Sequence, residues 1–230
     1  MKELYVFCEG QTEQGFCKQV LGPHLFPEND GLVHTIRIAH SRHHGVIHRG
    51  GIGKYATLRW DILSEMKRRA SAYVRFTTMI DLYKAPTDFP GKPDRALDPN
   101  HPTPYVEALE SAFRGDIGDL RFVSYLQLFE YETLLFSDPE AFRIFFDDCN
   151  DAIEALKQIA ASVPSLEHID DGEATAPSKG IIALLPGYYG LKTTAGPDIA
   201  KFIGVDVLRA KCPRFGGWIA RLETLWDAGE

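Results

Sequence analysis

The sequence predicts an α/β fold: a mostly parallel sheet of about four strands flanked by helices, followed by a helical C-terminal extension. In the first part of the chain, short apolar runs alternate with segments of helical periodicity, a pattern typical of parallel sheets. From about Phe136 onward, helical patterns follow one another without a convincing strand. We therefore expect an α/β core over residues 1–137 and a helical extension over residues 138–230.

The elements of the core are read from periodicity and from the residues that break it. A continuous apolar run indicates a buried strand, and apolar residues three or four apart indicate a helix. The predicted strands are residues 4–8, 33–39, 73–80 and 121–129. The predicted helices are the segment that begins at Thr12 and residues 55–70 and 105–113, with loops at 40–54 and 82–101. In the extension, the predicted helices are residues 139–146, 151–161, 196–203 and 215–226.

The composition is that of a globular protein. The 230 residues are 44% hydrophobic and 25% charged, which suffices for a packed core and excludes a disordered chain. The formal net charge of -7 excludes a polycation that would coat nucleic acid through total charge. No apolar run reaches the roughly 18 residues of a membrane span, and no signal-peptide pattern is present. The four cysteines form no CxxC pair, so we expect reduced thiols in the cytoplasm and no membrane partner.

Acidic residues follow the predicted strands at three places. Glu9 follows the first strand, and Glu13 lies one helical turn later; Asp81 ends the third strand, and Glu130 and Glu132 end the fourth. The carboxyl ends of parallel strands meet at one edge of a sheet, and carboxylate oxygens suit Mg²⁺ or Mn²⁺. Any one of these acids, taken alone, is more often a solvated loop residue or a helix cap, although three such positions in one chain weaken that explanation. The pattern alone therefore leaves a metal site and ordinary surface acids both open.

Two stretches are rich in basic residues. Residues 37–54 hold four Lys/Arg, several glycines and no acid, which fits either a mobile phosphate-binding loop or an ordinary solvated loop. The candidate phosphate contacts in this stretch are Arg42, Arg49 and Lys54. Residues 179–221 hold seven Lys/Arg against two acids, either a nucleic-acid contact or ordinary helix surface. Lys179 and Lys192 are the candidates there, because both are predicted to lie in segments broken by Gly or Pro.

The ordered motifs resemble a known superfamily. The segment 6–13, Val-Phe-Cys-Glu-Gly-Gln-Thr-Glu, is similar to the strand–Glu–Gly opening of Toprim domains, and Asp81 lies where those domains carry an Asp-x-Asp motif. The chain is more similar still to an uncharacterised bacterial Toprim-like family (domain of unknown function 4276). The further blocks that carry this resemblance are Phe-Glu-Tyr-Glu-Thr-Leu-Leu-Phe-Ser at 129–137, Pro-Ser-Lys at 177–179 and Cys-Pro-x-Phe-x-x-Trp at 212–218.

The resemblance implies a Toprim-like (Rossmann-like) fold, a divalent cation (Mg²⁺ or Mn²⁺) and hydrolysis of DNA or RNA phosphodiesters. It implies that Glu9 and Asp81 are catalytic, with Glu9 in acid–base chemistry or metal binding, and that Glu13 and Asp81 bind metal. Relatives of this kind also imply a role as the effector of a phage-defence or repair module with an ATPase partner. The chain has no G-x-x-x-x-G-K-[ST] loop of its own.

One residue departs from the Toprim pattern. Tyr83 stands where the second Asp of Asp-x-Asp is expected, which removes one metal ligand unless Glu130 or Glu132 supplies it. Tyr83 would then orient a phosphate or a base. Three functions therefore stay open: a metal-dependent nuclease, a non-catalytic Toprim binding or adaptor module, and a phosphatase or small-nucleotide hydrolase. Whether the chain forms a homo-oligomer also stays open.

Overall fold

The computed structural model describes residues 1–43, 46–49, 53–92, 97–98, 101–169 and 176–227. The chain divides into two compact units. The first consists of Met1–Gln14 and Phe26–Leu128, and the second of Gly15–Leu25 and Phe129–Glu230. The boundary at residue 137 stays a prediction.

The regular elements are numbered along the chain. The strands are β1 (Lys2–Cys8), β2 (Gly31–Arg37), β3 (Ala39–His43), β4 (Val46–Arg49), β5 (Val74–Asp81), β6 (Phe122–Val123) and β7 (Leu126–Gln127). The α-helices are α1 (Gln11–Phe16), α2 (Gly22–Leu25), α3 (Tyr55–Arg68), α4 (Pro102–Ile117), α5 (Asn150–Ala161), α6 (Pro177–Leu184), α7 (Tyr188–Ile203), α8 (Val205–Lys211) and α9 (Pro213–Glu223). A π-helical turn, Cys17–Leu21, follows α1.

The first unit is built on a parallel sheet. Its strand order is β2-β1-β5-β6, and β7 also pairs with β5, so that five strands form the sheet. Every pairing in it is parallel. Val6 and Phe7 of β1, Phe76 of β5 and Phe113 of α4 are fully buried, and each such side chain contributes roughly 1.5–3 kcal/mol. The predicted α/β fold with a mostly parallel sheet is confirmed.

The fourth predicted strand is interrupted. The sequence predicts one strand over residues 121–129, whereas the structure has the two short strands β6 and β7. Between them the Thr78 hydroxyl donates to the carbonyl of Tyr125 at 2.8 Å and accepts from its backbone N–H at 2.9 Å. The Ser124 hydroxyl donates to the carbonyl of Glu110 at 2.8 Å. These side-chain bonds take the place of strand-to-strand backbone bonds, and periodicity does not reveal them.

The basic stretch after β2 is not simply a loop. Strands β3 and β4 form an antiparallel ribbon, with Ala39 paired to Arg49 and His43 to Val46. The prediction of an unstructured loop over residues 40–54 was therefore wrong for this part. Two β-branched residues, Val46 and Ile47, favour the extended backbone of β4. Residues 44–45 and 50–52 lie outside the described part of the chain.

Helix α4 also differs from the prediction. It begins at Pro102, three residues before the predicted start, because proline is well suited to the first position of a helix, where no N–H is required. It ends at Gly118, whose φ of 67° lies in the left-handed region that glycine favours. In the predicted loop 82–101, the described residues form a 3₁₀ turn at Leu82–Lys84 and further turns as far as Lys92.

Every regular element described in the second unit is helical, as the sequence predicts for the C-terminal part. Short 3₁₀ segments, Tyr131–Ser137 and Pro139–Ile144, precede its helices. Its core holds large aromatic side chains that are almost completely buried: Tyr131, Phe142, Tyr188, Phe215 and Trp218. None of the helices described in either unit is long and apolar enough to cross a membrane.

Helix α7 is longer than predicted. It spans Tyr188–Ile203, whereas the sequence predicts a helix only over residues 196–203 and a segment broken by Gly or Pro around Lys192. Pro197 is accommodated within the helix, with its ring packed against Gly15. A Cβ at Gly15 would lie 2.6 Å from the Cγ of Pro197, so only glycine permits this approach.

The N-terminus of α9 explains the Cys-Pro-x-Phe-x-x-Trp block. Pro213 occupies the first helical position, and the next two backbone N–H groups, of Arg214 and Phe215, donate to the Glu167 carboxylate at 2.8 and 3.0 Å. Glu167 is 2% exposed. A buried carboxylate at this end of a helix is favoured because the helix dipole is positive there. The block is thus a helix start that is capped by a side chain distant in sequence.

Candidate functional site

Two of the predicted acids end neighbouring strands of the parallel sheet. Strands β1 and β5 are paired in register, with Cys8 opposite Met79. Glu9 continues this pairing, since its backbone N–H donates to the carbonyl of Met79 at 3.4 Å. Asp81 is the last residue of β5. The structure thus brings Glu9 and Asp81 to the same edge of the sheet, as the sequence predicts.

Both of these acids are largely buried. Glu9 is 9% exposed and Asp81 is 7% exposed. Burial disfavours the ionised form of a carboxyl group unless hydrogen bonds, a cation or a positively charged side chain compensates. Buried acids at the carboxyl edge of an α/β sheet are therefore candidates for chemistry or ligand binding.

Glu13 is held over the turn between β1 and α1. The Gly10 N–H donates to the Oε2 atom of Glu13 at 2.8 Å, and Glu13 is 6% exposed. A Cβ at Gly10 would lie 3.0 Å from that oxygen, which is closer than nearly all such contacts, so the glycine provides the space that the carboxylate occupies. The Glu-Gly-x-x-Glu motif is therefore a structural unit, in which Gly10 fixes the position of the second acid relative to the first.

Sequence reasoning missed two groups beside Asp81. Gln127 of β7 pairs with Asp81 of β5, and its buried carboxamide accepts a hydrogen bond from the Tyr125 hydroxyl at 2.7 Å. Glu110 of α4 is 6% exposed, and its Oε1 atom accepts from the N–H of Leu126 at 2.8 Å. Glu110 thereby holds β7 in place next to the end of β5. The only signal in the sequence was a polar residue inside each apolar pattern.

Glu130 and Glu132 belong to the second unit. The Oε2 atom of Glu130 accepts from the N–H of Ser178 at 2.9 Å, in the first turn of α6. Glu132 is 1% exposed, forms an ion pair with Lys192 at 3.0 Å and accepts from the Tyr188 hydroxyl at 3.4 Å. Burial raises the pKa of the Tyr188 phenol well above its usual value, and the charge of Glu132 raises it further. A part for Glu130 and Glu132 in metal binding stays a prediction.

The predicted lysines lie in helices. Lys179 is exposed in the first turn of α6, and Lys192 lies within α7. The expectation that both lie outside regular helices was therefore wrong: Pro177 starts a helix, and Gly190 is accommodated within one. Their binding of phosphate stays a prediction.

The remaining candidates lie in the first unit. Lys54 is exposed and immediately precedes α3. Tyr83 is 37% exposed in the 3₁₀ turn that follows Asp81. Arg42 and Arg49 fall in the ribbon of β3 and β4, and their side chains lie outside what the structure describes.

The side chains at this edge suit a hard cation by type, since Glu9, Glu13 and Asp81 supply only carboxylate oxygens. Among the described residues, however, no group of three or more His, Cys, Asp or Glu side chains is positioned to hold a metal ion. Mg²⁺ typically binds through one or two carboxylates together with water and substrate phosphates, so it does not require such a group. The carboxylates therefore fit a cation that binds together with substrate.

The chain belongs to the family described as Domain of unknown function (DUF4276), whose model matches residues 8–223. This range contains every candidate residue named above. No curated protein and no solved structure shows a significant match to the chain. The predicted membership of this family is thus confirmed, while the family's description assigns no activity.

Proposed function

We propose that the chain is a divalent-metal-dependent phosphodiester hydrolase, a Toprim-type nuclease that acts on DNA or RNA. The observation that supports it best is the pair of buried carboxylates, Glu9 and Asp81, at the ends of adjacent parallel strands. Glu13, fixed over Gly10, adds a third carboxylate at the end of β1. We further propose that the protein acts in the cytoplasm, in line with its four buried cysteines, which form no disulfide bonds, and that it acts with an ATPase partner.

Each carboxylate has a proposed role. Asp81 and Glu13 bind Mg²⁺ or Mn²⁺, which when bound would polarise the scissile phosphate and lower the pKa of a water molecule. Glu9 accepts the proton of the attacking water as the bond from phosphorus to the leaving oxygen breaks, or it serves as a further ligand. Tyr83, exposed two residues after Asp81, orients a phosphate or a base.

A non-catalytic adaptor module is the second candidate. One observation favours it: Tyr83 stands in place of the second Asp of the Asp-x-Asp motif. Such a module would bind nucleic acid or its ATPase partner without cleaving a phosphodiester.

The test is cleavage of single-stranded and duplex DNA, of structured RNA including tRNA, and of mononucleotides, with Mg²⁺ or Mn²⁺. Glu9→Gln and Asp81→Asn should each reduce cleavage by at least about 100-fold, because each removes a charge at the reacting centre. Glu107→Gln, which neutralises an exposed acid on α4, is the matched control and should cleave like the wild type.

The outcomes separate the two candidates. Cleavage that persists in both Glu9→Gln and Asp81→Asn would rule out the proposed site. A wild type that cleaves nothing, and that binds neither cation at millimolar concentration by calorimetry, would rule out the hydrolase and leave the adaptor.

A further inference from the structure

A polar cleft lies along the edge of the sheet in the first unit. It has a volume of about 520 Å³ and is lined by Gln14, Thr35, Ile36, Arg37, Glu65 and Arg69. We call these six residues the arginine cleft. Its lining contains two guanidinium groups and one carboxylate. The formal charge of the cleft is therefore positive, although the net charge of the whole chain is -7.

Three elements build the arginine cleft. Strand β2, which pairs with β1 alone among the described strands, places Thr35 and Arg37 two residues apart, and residues with this spacing point to the same face of a strand. Helix α3 and the residue after it supply Glu65 and Arg69. Helix α1 supplies Gln14, whose Nε2 atom donates to the hydroxyl of Thr35 at 3.2 Å. The polar groups are thus held by regular elements.

Arg69 is positioned by two contacts. Its guanidinium lies over the ring of Tyr5, with 4.3 Å between Cζ and the ring centroid, and it forms an ion pair with Glu65. Glu65 also accepts from Arg68 at 2.6 Å, so one carboxylate serves two guanidinium groups. An anion that enters the cleft competes with Glu65 for Arg69. This competition makes Glu65 a determinant of how tightly the cleft binds.

The arginine cleft begins next to the carboxylates. Arg37 is paired with Cys8, the residue before Glu9. With strands about 4.8 Å apart and a rise of about 3.3 Å per residue, the backbones of Arg37 and Glu9 lie within about 6 Å of each other. Gln14 directly follows Glu13 in α1. The cleft residue Arg37 thus lies close to the point where β1 ends in Glu9.

We propose that the arginine cleft binds phosphodiester groups of the nucleic-acid strand adjacent to the group that is hydrolysed. This inference rests on the proposed function and adds to it a binding site. Arginine suits this role because its planar fork of N–H donors matches two phosphate oxygens at once. Gln14 and Thr35 add side-chain donors beside the two guanidinium groups.

The test measures binding of fluorescently labelled 20-nucleotide single-stranded DNA and RNA by anisotropy, in EDTA so that no cleavage occurs, over a series of salt concentrations. Each phosphate contact contributes about 0.7 to the slope of log K against log salt for a single strand. Arg37→Gln and Arg69→Gln should each lower the slope by about that amount and weaken binding about tenfold. Glu65→Gln should instead strengthen binding, because it removes the competing carboxylate.

Matched variants distinguish the loss of a specific phosphate contact from a change in overall charge and from misfolding. Lys67→Gln removes one positive charge from the same helix outside the cleft, and should leave the slope unchanged. Arg69→Lys keeps the charge and should keep most of the slope, while the loss of the guanidinium fork lowers the affinity. Melting curves identify any variant that does not fold.

Unchanged slopes in folded Arg37→Gln and Arg69→Gln, equal losses in Lys67→Gln, or a wild type that binds no strand would each overturn the arginine cleft as a phosphate site. Glu107→Gln, which neutralises an exposed acid on α4, should bind with the wild-type slope. The two proposals can fail separately. Cleavage with unchanged slopes in the cleft variants would refute the cleft alone. Slope losses without any wild-type cleavage would refute the hydrolase alone.

Discussion

Replacement of Glu167 by alanine should strongly destabilise the second unit. The Glu167 carboxylate accepts two backbone N–H groups at the start of α9, at 2.8 and 3.0 Å, and is 2% exposed. A hydrogen bond to a charged group contributes roughly 1.5–3 kcal/mol. Loss of both bonds should therefore lower the free energy of unfolding by about 3–6 kcal/mol, a large part of the roughly 5–15 kcal/mol that a protein has in total.

Urea unfolding followed by tryptophan fluorescence measures this loss, because Trp218 is buried in α9. In a thermal scan, 1 kcal/mol corresponds to about 2–4 °C for a chain of this size, so the midpoint should fall by at least about 6 °C. Glu167→Gln keeps one acceptor oxygen and should lose about half as much. Glu154→Ala removes an exposed acid that pairs with Lys157 at 2.7 Å, and should change stability by less than about 1 kcal/mol. A Glu167→Ala protein as stable as Glu154→Ala would refute the capping role.

Three further outcomes are expected. Gly10→Ala should displace the Glu13 carboxylate by a few tenths of an ångström and lower Mn²⁺ affinity about tenfold by calorimetry, while urea unfolding changes by less than about 1 kcal/mol. Lys192→Met removes the ion pair of the buried Glu132 and should lower the free energy of unfolding by about 2 kcal/mol, and adding Glu132→Gln should restore at least half of it. Burial raises the pKa of the Cys212 thiol to about 12, with a smaller contribution from Glu167, against an ordinary value of 9.0. Between pH 9 and 12 the thiol ionises in the unfolded chain but stays protonated in the folded chain. The contribution of Cys212 to the free energy of unfolding is therefore complete below pH 9, and it falls by about 1.4 kcal/mol per pH unit toward pH 12. Cys212→Ala should remove this part of the alkaline slope in unfolding titrations.

Each of these expectations has a contrary result. Unchanged Mn²⁺ affinity in Gly10→Ala would mean that the position of Glu13 does not matter for metal. A Lys192→Met protein that has wild-type stability but binds nucleic acid less tightly would indicate that Lys192 contacts phosphate and does not stabilise the buried Glu132. An alkaline slope unaffected by Cys212→Ala would show that this thiol does not stay protonated in the folded chain.

The parallel sheet could be predicted because short apolar or alternating strand segments are separated by helical patterns. The acids could be found because each lies where such a segment ends. The interruption between β6 and β7 could not, since it depends on a hydrogen bond between Thr78 and Tyr125, residues 47 positions apart. Gln127 was missed for a related reason: its place beside Asp81 follows from strand pairing, which periodicity does not report.

The lysines illustrate the opposite error. Glycine and proline near Lys179 and Lys192 predict broken segments, but local propensity is a weak guide when tertiary contacts compensate. Pro177 fits the first position of α6, and the Glu130 carboxylate accepts the N–H of Ser178 beside it. Lys192 in turn pairs with Glu132, and no sequence pattern indicates that Glu132 is buried.

The central place of β5 has a consequence for how the first unit fluctuates. This strand pairs with β1, β6 and β7, whereas β2 pairs with β1 alone among the described strands. Backbone amides of β5 should thus exchange with deuterium only when much of the sheet opens, and those of β2 should exchange in smaller openings. Strand β5, which ends in Asp81, would then keep its geometry while other parts of the sheet open locally. Strand β2, which carries Arg37, would adjust to the ligand beside it.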